Sequence, residues 1–196
     1  MYNYYNKQSH DAYEKGKTAV NRADIVVAAP SALEALGCEG YDRFDGNVMS
    51  LLDRRGLSLW LPFGEKERLV DRQRTGDLKA QKSCVQMMRW YKNHQAEFFQ
   101  DDGESPVEDG CVLSYIHKKR LEGNRVLVIS QSEELAGTLM AWNRDDTLPP
   151  VTIKQISRYG YLRNHQAYYN FVNDARNRAT EDELRELEDF DPLITN

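Results

Sequence analysis

The sequence predicts a mixed α/β domain, rich in helix and built on a small sheet, and three stretches lead to that expectation. Arg125 to Ser130 is a short apolar run of strand length followed at once by helix-type spacing. Ile25 to Ala29 is a second such run, and Leu57 to Phe63 alternates around Trp60. Short strands separated by longer helical segments indicate a sheet covered by helices. An all-α fold is the alternative, because the runs at Ile25 and Val151 rest on few residues.

Residues 1–24 read as a polar N-terminal arm or helix, with Tyr5, Tyr13 and Val20 on one face and Gly16 weakening it. Residues 25–196 read as one globular domain. A chain of 196 residues, 40% of them hydrophobic, buries a single core without a metal or disulfides, and no Pro/Gly/Ser-rich linker divides it. After the first apolar run, Ser31 is an N-cap for a short helix that Gly37 ends. Pro62 puts the second strand near an edge or places it at a strand end.

A long helix is expected from about Asp77 to Phe99. On its wheel Leu78, Ala80, Cys84, Val85, Met87, Met88, Tyr91, Phe98 and Phe99 share one face. Lys79, Lys82, Gln86, Arg89 and Asn93 share the other, with Trp90 at the boundary. Ser130 and Glu133 have capping-box spacing for a helix reaching about Trp142, and Val151 to Ser157 is compatible with a strand or a helix start. A helix is expected from Tyr161 onward, and Thr180 with Glu183 opens an acidic helix that closes the domain.

Charge is segregated along the chain. Glu65 to Lys92 holds eight Lys/Arg against four Asp/Glu, and Lys118 to Arg125 holds four against one. Asp101 to Gly110 has five acids and no base, and Thr180 to Asp191 has seven acids and one arginine. The net charge of -5 argues against a generic nucleic-acid binder while leaving local basic faces to consider. No segment approaches the roughly 18 apolar residues of a membrane span, so no membrane association is expected. Three cysteines spaced 46 and 27 apart fit neither a disulfide framework nor a zinc knuckle, which suits a cytoplasmic protein.

Catalytic motifs are scarce. The strings AAPSALEAL and ISQSEELAG locally resemble segments that follow strands in helicase domains. The likeness stops there, because no glycine-rich phosphate loop accompanies them. There is no Gly-x-Ser-x-Gly elbow, and the histidines at 10, 94, 117 and 165 are scattered without metal-ligand spacing, so neither a metal nor a cofactor is expected. The expected function is therefore a non-catalytic binding or regulatory protein. It would engage a protein complex or nucleic acid through Lys79, Lys82, Arg89 and Trp90 on one helix and Lys118, Lys119 and Arg120 on another. The alternative is a small enzyme acting on a nucleotide or nucleic acid. In that reading His165 is the acid or base, while Tyr161 and Arg176 stabilise a developing anion.

Overall fold

The computed structural model describes residues 13–29, 32, 42–76, 78–94, 96–99, 109–157 and 159–168. Six strands form one sheet in the order β3-β2-β1-β4-β5-β6. They are β1 (Ile25–Ala28), β2 (Leu59–Pro62), β3 (Glu97–Phe99), β4 (Val126–Ile129), β5 (Val151–Ile156) and β6 (Leu162–Asn164). The first five run parallel, and β6 returns antiparallel beside β5. This mixed α/β architecture is the expected class, and the sheet overturns the all-α alternative.

Every residue of β4 is buried, as a central strand of a parallel sheet requires when helices cover both of its faces. Alternation sorts the two cores. On one face Val26, Ala28, Leu59, Leu61, Leu127 and Ile129 point into a core shared with three helices. These are α1 (residues 13–22), α2 (residues 42–55) and α4 (Leu78–Asn93). On the other face Val27, Phe99, Val126 and Val128 meet α5 (Asp109–Leu121) and α6 (Glu133–Trp142). The remaining helix, α3 (Phe63–Thr75), packs on α4.

Residues 13–22 belong to the first core, with Ala19 and Val20 buried in it. Arg55, the last residue of α2, forks onto the carbonyls of Val20, Asn21 and Ala23 and so caps the end of α1. At the start of that helix, the turn between β5 and β6 presses on α2. Gly160 has φ +71°, and a Cβ there would lie 2.6 Å from the Phe44 amide nitrogen, so only glycine fits.

Three local expectations change. The helix expected through Phe99 ends at Asn93, and Glu97–Phe99 forms edge strand β3. Phe98 meets Tyr91 on one face while Phe99 stacks on Tyr115 on the other, with centroids 4.0 Å apart, so the pair follows a strand's two-residue period. The helix expected from Tyr161 is replaced by β6, because the Ser157–Tyr161 turn reverses the chain and Leu162 pairs with Ile156. Helical structure begins only at residue 166. Ser130 is not the cap of α6. Its amide continues the ladder onto Lys154, so the helix starts two residues later, and Ser132 Oγ accepts from the Leu135 amide at 3.1 Å. Most of the helix expected after Ser31, and all of the acidic one after Thr180, lie outside the described residues.

Candidate functional site

An open parallel sheet reverses its strand order where successive connections leave in opposite directions. Here that point lies between β1 and β4, since β1 leads toward β2 and β4 toward β5. Buried polar side chains gather along the carboxyl ends of these strands. Glu65, in the first turn of α3 just beyond β2, is fully buried and takes a two-pronged ion pair from Arg68, at 2.8 Å on each oxygen. Ser130, buried just past β4, accepts from the Ser132 amide at 2.9 Å. Gln155, opposite it on β5, accepts from the Gln166 amide at 3.0 Å, and Gln131 donates to the Ile156 carbonyl at 3.0 Å.

His165 follows β6 on this side of the sheet and is 1% exposed. It caps the helical turn that begins at residue 166: its carbonyl accepts from the Tyr168 amide, and Nδ1 accepts from the Ala167 amide at 3.1 Å. With Nδ1 used as an acceptor, the neutral ring carries its proton on Nε2. That nitrogen is buried and has no hydrogen-bond partner among the described residues. Desolvation pushes the His165 pKa below its usual value. The Glu133 charge and the Gln131 backbone oppose that shift, while Arg163 adds to it.

Of the three residues proposed for an enzymatic pocket, two, Tyr161 and His165, lie among the described residues. Tyr161 lies half-buried in the β5–β6 turn, its amide on Ser157 Oγ at 3.2 Å, and Arg176 lies outside the described set. The basic faces also change. Arg89 and Lys118 are exposed, whereas the side chains of Lys79 and Lys82 fall outside the description. Trp90, expected at the margin of a stacking surface, is 6% exposed and donates Nε1–H to Asp45. Arg120, expected among exposed cations, is 2% exposed. Its guanidinium donates to the carbonyls of Pro149, at 2.7 Å, and Trp142, at 3.3 Å, while lying over the Trp142 ring. Lys119 pairs with Glu122 at 2.8 Å and sits above Tyr115. Trp90 and Arg120 therefore hold helices together rather than offer a surface.

Sequence reasoning missed one cluster. Within α2, Asp45–Met49 is a π-helical turn that continues as α-helix Ser50–Arg55. Such one-residue expansions often occur at functional sites. Asp45 opens this turn, and its two carboxylate oxygens are divided between Trp90 Nε1 and His94 Nε2, the latter at 3.0 Å. The His94 ring lies on Trp90 with centroids 4.7 Å apart, and Trp90 in turn meets Phe44 at 5.7 Å. Trp90 and His94 are four residues apart, a spacing readable in the sequence. Nothing local to Asp45, 49 residues from His94, marks it as their partner.

Among the described residues no group of three or more His, Cys, Asp or Glu could hold a metal ion, and no helix is long and apolar enough to cross a membrane. No protein-family model, curated protein or solved structure matches this chain, so the site is read from its own geometry.

Proposed function

We propose that the protein is a binding domain whose ligand sits at the carboxyl ends of β1 and β4. The observation that carries this reading is the reversal of strand order between those two strands. In open α/β sheets the crevice outside such a point is where ligands bind. Ser130, Gln155 and His165 support it by lining this end of the sheet with buried hydrogen-bonding groups. The turn from β4 into α6 has no glycine-rich phosphate loop, and Glu133 and Glu134 are exposed in the first turn of the helix. Both features disfavour a pyrophosphate, so the ligand is an uncharged or cationic polar molecule. This reading differs from the one expected from the sequence, in which a protein complex or nucleic acid is engaged through the basic helix faces.

Amide chemical-shift mapping tests it. Uncharged nucleosides, nucleoside monophosphates and free amino acids are titrated into the protein. The expected result is saturable shifts at Ala29 and Ser130 to Glu133 with an uncharged or cationic probe, with the monophosphates binding more weakly. Shifts gathered instead at Arg89 and Lys118 during titration with single-stranded nucleic acid, and fading steeply with salt, would restore the basic-face reading.

A further inference from the structure

We propose that His94 is an acid–base group oriented by Asp45, and that it activates water for attack on an ester-type bond. This goes beyond the ligand-binding reading and does not depend on it. Asp45 Oδ2 accepts from His94 Nε2 at 3.0 Å, so the neutral ring carries its proton on Nε2 and keeps its lone pair on Nδ1. Nδ1 has no hydrogen-bond partner among the described residues. The His94 side chain is 23% exposed and that of Asp45 33%, so water reaches the pair.

The carboxylate cannot swing away, because its other oxygen is held by Trp90 Nε1 and its backbone belongs to the π-turn. The Trp90 ring covers one side of the imidazole. A carboxylate on one nitrogen, an aromatic floor and, on the other nitrogen, a lone pair without a partner among the described residues define an imidazole of fixed tautomer and fixed direction. Trp90 Nε1 makes the difference from an ordinary surface pair, since it fixes the group that fixes the histidine.

In the reaction, Nδ1 takes a proton from water as the water oxygen bonds to the carbonyl carbon of the ester. The bond from that carbon to the leaving oxygen then breaks. The proton on Nδ1 passes to the leaving group or to solvent, which restores the ring. Asp45 remains a carboxylate throughout and acts as a positioning residue, holding Nε2–H.

Two measurements on the full chain test this. The first is the initial rate of p-nitrophenyl acetate hydrolysis, with bis(p-nitrophenyl) phosphate as a second substrate to separate acyl from phosphodiester chemistry. His94→Gln is expected to lower the rate on p-nitrophenyl acetate by about a hundredfold, in the range general-base catalysis supplies. His117→Gln, which changes an exposed histidine lying against Trp142, is expected to leave the rate unchanged. Equal rates for wild type and His94→Gln on p-nitrophenyl acetate, a loss confined to the phosphodiester, or an equal loss in His117→Gln, overturn the proposal. The second is the nitrogen-15 signature of the His94 ring, which needs no variant to fold. Protonated Nε2 with bare Nδ1 is expected in wild type, changing to a mixed tautomer in Asp45→Asn. A proton on Nδ1 in the wild-type neutral ring overturns it.

Discussion

His165 and His94 lie on opposite faces of the same sheet, and their surroundings give one residue type two different capacities. His165 commits Nδ1 to a backbone amide, is almost wholly buried and finds no acceptor for its Nε2 proton among the described residues. His94 commits Nε2 to a carboxylate and keeps a lone pair near solvent. The first holds a turn in place. The second is held in place by its neighbours. A histidine's capacity for proton transfer follows from which nitrogen is committed and whether the other can be reached.

The most severe way to break this contrast is to disturb the β5–β6 turn, which precedes β6 and His165 in the chain and presses on Phe44 beside Asp45. Gly160→Ala forces a Cβ to within 2.6 Å of the Phe44 amide nitrogen at φ +71°. It is expected to cost about 3 kcal/mol or more by urea unfolding, combining left-handed strain with backbone overlap. It should also perturb the Asp45–His94 resonances, since Phe44 precedes Asp45. His165→Ala is expected next, at about 2–3 kcal/mol, because it empties a buried ring site and removes the acceptor for the Ala167 amide.

Proton linkage separates the histidines further. The folded His165 titrates below its ordinary value of 6.5, so between the two values the unfolded chain binds the extra proton. Stability is therefore full above pH 6.5 and declines as the pH falls below it, and this decline should disappear in His165→Gln while persisting in His94→Gln. A second loss follows at lower pH. The side-chain and backbone hydrogen bonds of Arg125 hold Asp24 at about 2 against an ordinary 3.8. Its contribution is present above 3.8 and is lost as the pH falls toward 2, a phase that Asp24→Asn should remove.

Two smaller changes sharpen the contrast at His94. Trp90→Phe leaves a smaller aromatic ring in the core and deletes the Nε1 donor, and is expected to cost about 1–2 kcal/mol in urea unfolding. His94→Gln should cost least, under about 1 kcal/mol, as befits a half-exposed polar contact. A loss there as large as at His165→Ala would make His94 a structural residue and erase the distinction.

The legible parts of the fold are those with local causes. β4 and α6 announce themselves through an apolar run followed by helical spacing, and β1 and β2 show runs of their own, whereas the β5 stretch is equally compatible with a helix start. β3 and β6 do not, because each is three residues long and exists through pairing with a strand elsewhere. A run such as Phe98-Phe99 fits either the helical or the strand period until its neighbours are known. The site residues fail for the same reason. Trp90 lies at the boundary of its helical wheel, and its burial is decided by Asp45 from another helix. Arg120 ends a basic run, yet carbonyls at the end of α6 and in the loop beyond it draw it inside. His165 was picked out by its chemistry but assigned to a helix interior, when it stands at the junction of a strand and a helix.

The short border strands limit how another protein chain can be recognised. Among the described residues the sheet is bounded by β3 on one side and β6 on the other, each with three residues of ladder. An extended peptide that binds by joining a sheet draws its affinity from a long row of main-chain hydrogen bonds, and neither border provides one. Charge adds to the barrier, since Glu97 and Arg163 stand exposed in the two strands. Strand addition, whether as recognition or as the first step of fibril growth, is poorly supported at either border, so a protein partner must be selected by side chains and shape.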